Sequence, residues 1–216
     1  MSIKCMIVPV TPYQQNCSIV MCEVSGKAAV IDPGGDIERI MQAVEQLEAS
    51  VEKLLLTHGH MDHCAATLEL SQKLSVPIEG PQKEDSFWID KLKESCESAG
   101  FPPAESFTPD RWLEQGDKVS VGQQELEVYH CPGHTPGHIV LFHRQAKLAI
   151  VGDVLFQGSI GRTDFPRGDH EQLISSIREQ LWPLGDDVTF IPGHGPTSTF
   201  GEERLHNPFV ADSRYG

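Results

Sequence analysis

Three imidazoles and a carboxylate fall within the segment Thr57-His58-Gly59-His60-Met61-Asp62-His63, directly after the apolar run Leu54-Leu55-Leu56. A chain that gathers so many cation-binding groups at one strand end is steered toward a layered α/β fold, where strand ends meet loops along an edge. In an extended turn residues i and i+2 point the same way, so His58 and His60 can grip one cation together. Asp62 and His63 fall on the first turn of the helix expected next, displaced enough to serve a second cation. Imidazole nitrogens and carboxylate oxygens without thiolate suit zinc, with iron or manganese allowed. Four ligands closing on one tetrahedral ion leave no open position, whereas sharing them between two ions leaves room for water and substrate.

The remaining ligands must come from elsewhere. Three polar residues stand just past apolar runs with glycine beside them: His134 after residues 126–133, Asp153 after 148–152 and His194 after 188–193. The expected partition puts His58, His60 and His134 on one ion and Asp62, His63 and His194 on the other, with Asp153 bridging through its two oxygens. His138, at the start of the next strand, competes with His134, and spacing alone leaves that choice open. His130, His143, His170 and His206 read as ordinary polar or packing residues. Asp32, at the end of the third strand before Pro33-Gly34, reads either as an acceptor for a ligand imidazole or as a plain turn residue.

No low-complexity tract or long Gly/Ser or Pro-rich linker interrupts the 216 residues, so one domain over 1–216 is expected. Residues 3–10, 17–24 and 27–32 read as an antiparallel meander, 37–49 as an amphipathic helix and 51–57 as a buried strand. Helices over 62–74 and 82–98 flank a short strand at 76–79. Strands follow at 118–121, 124–131, 138–144 and 147–152. Asp169 with Gln172 resembles a capping box that opens a helix carrying Leu173, Ile174, Ile177 and Leu181, stopped by Pro183. A last buried strand covers 187–192. The repeated Pro-Gly-His of 132–134 and 192–194 would suit a duplicated half-domain, but Pro-Gly is a common turn. A layered α/β fold with a mixed sheet is the preferred reading.

Seventeen Lys and Arg against 31 Asp and Glu give a formal charge of −14, the wrong sign for a diffuse nucleic-acid or anionic-membrane binder. The amino terminus lacks the long apolar stretch of a secretory signal, and no run approaches the ~20 apolar residues of a membrane span. A cytoplasmic location is expected, where thiols stay reduced. Cys5, Cys17, Cys22, Cys64, Cys96 and Cys131 form no C-x-x-C pair, so six free thiols are expected.

Residues 28–35 (AAVIDPGG), 54–63 (LLLTHGHMDH), 132–139 (PGHTPGHI), 150–156 (IVGDVLF) and 191–196 (IPGHGP) together resemble the five motifs of the metallo-β-lactamase fold. Within that superfamily the chain is similar to the glyoxalase II type, the hydroxyacylglutathione hydrolases, in their shorter bacterial form. The resemblance implies a four-layer αββα sandwich with two divalent ions at one edge between the sheets. It carries the ligand pattern onto the seven residues partitioned above, and so favours His134 over His138.

The activity implied is hydrolysis of a glutathione thioester, S-lactoylglutathione, as in methylglyoxal detoxification. Asp62 and Asp153 are the expected catalytic carboxylates, acting through a hydroxide held between the ions, with Asp62 as a base the lesser alternative. A thiolate leaving group of pKa near ~8.5 needs no general acid. Glutathione carries two carboxylates, so cations are expected by the cleft: Arg162 first, then Lys147 and Arg144. Arg162 reads equally as a loop residue paired with Asp164.

Two departures bear on substrate. The chain ends about twenty residues after His194, where typical glyoxalase II proteins continue into a helical domain that contacts glutathione. The segment 158–165 (GSIGRTDF) also resembles the persulfide dioxygenases, which hold one iron and oxidise glutathione persulfide; that is the alternative enzyme. A non-catalytic metal-binding module is the alternative of another class.

Overall fold

A computed structural model describes residues 2–215. Strands β1 (Ile3–Val10), β2 (Gln15–Cys22), β3 (Lys27–Ile31), β4 (Ser50–Leu55) and β5 (Ile78–Glu79) form one sheet in that order. The meander β1–β2–β3 is antiparallel, while β3, β4 and β5 run parallel. The second sheet takes β6 (Lys118–Val121), β7 (Gln124–His130), β8 (Ile139–His143), β9 (Leu148–Gly152), β12 (Thr189–Pro192) and β13 (Ser198–Thr199). Only β9 and β12 pair in parallel there. A small hairpin, β10 (Leu155–Phe156) with β11 (Ser159–Ile160), follows β9.

Alternation of side chains across each strand explains the layers. Val20, Ala29, Ile31 and Leu55 of the first sheet meet Val128, Ile139, Leu141 and Ile150 of the second in one core. The opposite faces are covered by helices. Ile19 and Val30 pack under α1 (Ile37–Gln46) and α3 (Thr67–Leu74) through Ile40, Val44 and Leu70. Phe142, Val151 and Phe190 pack under α6 (His170–Ser176) and α7 (Phe200–His206) through Leu173, Ile174 and Phe200. Both sheets are thus sandwiched, which is why β2 and β8 are buried along their whole length. This is the αββα arrangement.

Local patterns and tertiary contacts diverge at several helix ends. The helix expected over 37–49 closes at Gln46, because Glu48 takes a left-handed φ of 52°. The helix expected over 62–74 is two, α2 (Met61–Cys64) and α3. The Pro33-Gly34 turn wedges against their junction: the Ala66 N–H donates to Pro33 O at 3.1 Å, and a Cβ on Gly34 would stand 1.6 Å from Asp62 O. The stretch 82–98 is likewise broken into α4 (Ser86–Ile89) and α5 (Leu92–Ala99), after a 3-10 turn over Lys83–Asp85.

Asp169 caps α6 as expected, accepting from the Gln172 N–H at 3.0 Å. The helix then widens into a π turn, and Pro183 sits within a final 3-10 turn instead of ending it. The α7 helix, absent from the expected order, has a signal of its own: Thr199 accepts from the Glu202 N–H at 3.2 Å, a Thr-x-x-Glu capping pattern. The two Pro-Gly-His turns leave β7 and β12 of the same sheet, so they do not mark two halves. Among the described residues no helix is long and apolar enough to cross a membrane, and all six cysteines are free thiols.

Candidate metal centre

The ends of β3, β4, β7, β9 and β12 converge at one edge between the sheets. Asp32 follows β3 and is 2% exposed. Its Oδ1 accepts from the Thr57 N–H at 2.7 Å, and its Oδ2 accepts the Thr57 hydroxyl at 2.6 Å and faces His63 Nδ1 at 2.9 Å. Its side chain thus faces an imidazole while its backbone forms the turn, the Gly34 N–H donating to Asp32 O at 2.9 Å. With Nδ1–H donated to Asp32, His63 presents Nε2 on its other side.

His58, His60 and His134 each bring a ring nitrogen within 4.8 Å of the other two. His134 Nδ1 donates to Arg162 O at 2.7 Å, and its Nε2 lies 3.0 Å from His60 Nδ1. Asp62, His63 and His194 form a second group: Asp62 Oδ2 is 3.1 Å from His194 Nε2 and 3.8 Å from His63 Nε2. His194 is held from behind, Nδ1 donating to Tyr13 O at 3.1 Å.

Asp153 stands between the groups. Its Oδ1 is 3.3 Å from His63 Nε2, and its Oδ2 is 3.6 Å from His134 and 3.8 Å from His194. His138 is not in either group. Its ring stacks on His58 at 4.5 Å and its Nε2 accepts the Asp153 N–H at 3.0 Å, so it positions Asp153. Asp32 lies within range of His58 and His63, but its oxygens are engaged as above.

Buried polar atoms normally find partners. Here His58 Nε2 is buried with none, and His134, its Nδ1–H given to Arg162 O, turns the lone pair of its Nε2 toward His60 Nδ1 at 3.0 Å. Lone pairs converging without donors are what a cation would satisfy, and the nitrogen–oxygen set fits a divalent transition metal.

The electrostatics agree. Burial holds His58 well below the usual imidazole range and pushes His60 down to about 3, and it lowers His134 too, so these rings are neutral donors. Burial works against ionised Asp153 and Asp62, but the facing imidazoles outweigh it and hold both carboxyls below their ordinary range. His63 is the converse: burial opposes its charge, yet Asp153, Asp62 and Asp32 keep it protonated in the absence of metal.

The family model for the metallo-β-lactamase superfamily matches residues 10–194. The chain belongs to the metallo-β-lactamase superfamily. It is 49% identical to the hydroxyacylglutathione hydrolase GloC of Haemophilus influenzae, over 94% of this chain and 96% of that one. It superposes on the crystal structure of the B3 metallo-β-lactamase BLEG-1 with a TM-score of 0.88 and 32% identity, covering 96% of this chain and 99% of that one. The structure of TTHA1623 in a di-iron-bound form gives a TM-score of 0.86 with 31% identity, over 95% of this chain and 100% of that one. As a member of this superfamily the chain binds divalent metal, and the two His/Asp groups are where its donors gather.

In this superfamily member a cleft of about 640 Å³ opens onto the donors. Tyr13, Met61, Phe156, Ile160, Arg162 and Phe165 line it. Arg162 borders the cleft, pairs with Asp164 at 2.8 Å and holds its guanidinium 4.5 Å above the Phe165 ring. Lys147 and Arg144 are corrected. They sit at the far end of β9 from Asp153, ~20 Å away at about 3.3 Å per strand residue, where Arg144 pairs with Glu127 at 2.6 Å and Lys147 with Asp187. Nearness in sequence misleads here because a strand carries its two ends apart.

Two further cations have no signal in the sequence. Lys91 and Arg167 each stand 4.3 Å over the Phe87 ring. Phe87 contacts Trp88, which abuts His60 and Phe165. Lys91 is one helical turn before Ser95, another cleft residue. Only their side-chain placement reveals them. His130 and His143 make ordinary polar contacts, to Pro136 O and Gln124, and His170 and His206 are exposed.

Proposed function

We propose that this chain is a hydroxyacylglutathione hydrolase, cleaving S-lactoylglutathione to hydroxy acid and glutathione with two divalent ions. The observation that carries the reading is Asp153, whose two oxygens face both donor groups in a chain 49% identical to a named hydroxyacylglutathione hydrolase. His58, His60 and His134 would hold one ion and Asp62, His63 and His194 the other, with Asp153 reaching both. Zinc suits these donors first, and iron and manganese are compatible; the di-iron-bound neighbour supports a two-ion site. Bound divalent ions lower the pKa of a coordinated water and polarise a carbonyl.

The chain's own groups supply orientation and shape. Asp32 keeps the proton of His63 on Nδ1, and His138 fixes the backbone that presents Asp153. Tyr13, Met61, Phe156 and Phe165 wall the cleft and limit water around the acyl group. The leaving thiolate, with a pKa near ~8.5, departs without a proton from the protein. Arg162, Lys91 and Arg167 are the cations we assign to the two carboxylates of glutathione, a role for which Lys147 and Arg144 lie too far away. A single domain in the cytoplasm, with six reduced thiols, fits this substrate.

Elemental analysis of the purified chain, combined with thiol release from S-lactoylglutathione, tests the proposal. Two ions per chain with stoichiometric thiol release are expected. One iron per chain with oxygen uptake on glutathione persulfide would instead establish the persulfide dioxygenase. Metal binding without turnover of either substrate would leave a binding module.

A further inference from the structure

The strongest unused group is Asp85, a fully buried carboxylate outside both donor clusters. Its Oδ2 accepts from the Gly59 N–H and the Thr135 hydroxyl, each at 2.8 Å, and its Oδ1 accepts from the Gly137 N–H at 2.5 Å. No cation among the described residues pairs with it, and burial pushes its carboxyl up to about 6 despite three donors. An unpaired buried carboxylate is costly to retain, so its partners indicate its use.

Those partners are not scattered. Gly59 lies between His58 and His60, and Thr135 adjoins His134. The segment around Asp85 is pressed into the same place: the Gln82 N–H donates to Gly137 O at 3.0 Å, and Trp88 abuts the His60 ring with centroids 4.5 Å apart. Side chains at positions 59 and 137 would collide with it; a Cβ on Gly137 would stand 2.5 Å from Asp85 N, and one on Gly59 would stand 2.9 Å from Trp88 Cβ. The Asp62–His63–His194 group has no hydrogen bond to Asp85. It leans on Asp32 instead, whose Oδ2 lies 2.9 Å from His63 Nδ1.

We infer that Asp85 is a positioning residue dedicated to the His58–His60–His134 site, clamping the two loops that supply its donors and setting that site's metal affinity separately from the other. The inference rests on the two-ion reading above.

Titrating the stripped chain with cobalt(II) and with zinc, followed by absorption and by chelator competition, tests it. The wild type is expected to show two binding events, one of them abolished by His134→Ala and the other by His194→Ala. Asp85→Asn should weaken the His134-dependent event by about ten- to a hundred-fold and leave the His194-dependent event unchanged. Thr135→Val, which removes one donor and no charge, should weaken the same event by less, and Thr135→Ser should restore it. Thr135→Val keeps the test alive should Asp85→Asn fail to fold. Equal weakening of both events, or of neither, overturns the role of Asp85 while leaving two ions in place. A single event in the wild type overturns the two-ion reading, and this inference with it.

Discussion

Asp32 Oδ2 lies 2.9 Å from His63 Nδ1, with neither side chain more than 3% exposed. The same carboxylate holds both the N–H and the hydroxyl of Thr57, so one group ends β3, fixes the turn into His58 and sets the tautomer of a metal-facing ring. Replacing Asp32 by Ala is expected to reduce metal affinity by about ten- to a hundred-fold and to lower the melting temperature. Metal competition and calorimetry on the variant check both effects, and unaltered affinity would reduce Asp32 to a turn residue.

Asp153 is the group that both clusters share. Asp153→Ala should cut bound metal and thioester turnover together, turnover by at least about a hundred-fold. A variant with full activity and full metal content would sink the hydrolase proposal.

Cations by the cleft should act on binding more than on chemistry. Arg162→Ala, and Lys91→Ala combined with Arg167→Ala, should each raise KM for S-lactoylglutathione several-fold with kcat nearly constant. A lactoyl thioester of N-acetylcysteamine, which has no carboxylate, should show no such change. Equal effects on both substrates would remove these residues from glutathione recognition, and Lys147→Ala and Arg144→Ala should affect neither.

Stability of the metal-free chain should peak near neutrality. Burial lowers His58, His60, His134 and His138 below the ordinary 6.5, so below about 6.5 the unfolded chain binds more protons and stability falls with pH. Their stabilising neutrality is present above that value and is lost on acidification. His63 and His194 are raised, in each case against burial. Their contribution is full below about 6.5 and fades as pH climbs through their folded values. The expected limbs are on the order of 1 kcal/mol per pH unit or more, measured by denaturant unfolding of chelator-treated protein. Saturating zinc should flatten the alkaline limb, because it displaces the His63 proton. A monotonic rise of metal-free stability from pH 5 to 9 would contradict this assignment.

Much of the centre is legible in the sequence. The i, i+2 pair His58 and His60 and the strand-end residues His134, Asp153 and His194 are local patterns, and the fold brings them together with Asp62 and His63. Asp32 is half legible: its place at a strand end is visible, its partner across 31 residues is not. Asp85 shows nothing in the sequence, since its donors lie 26, 50 and 52 residues away.

Periodicity and turn residues by themselves determined most of the strand and helix order, and donor spacing the nitrogen–oxygen character of the centre, because each of these is decided within a few residues of chain. Tertiary structure alone decided where helices break, as at the Pro33-Gly34 wedge, and which carboxylate braces which histidine. It also decided where each cation stands. Those outcomes depend on sheet register and strand direction, which carry Arg144 and Lys147 away from Asp153 and bring Lys91 and Arg167 onto one aromatic ring.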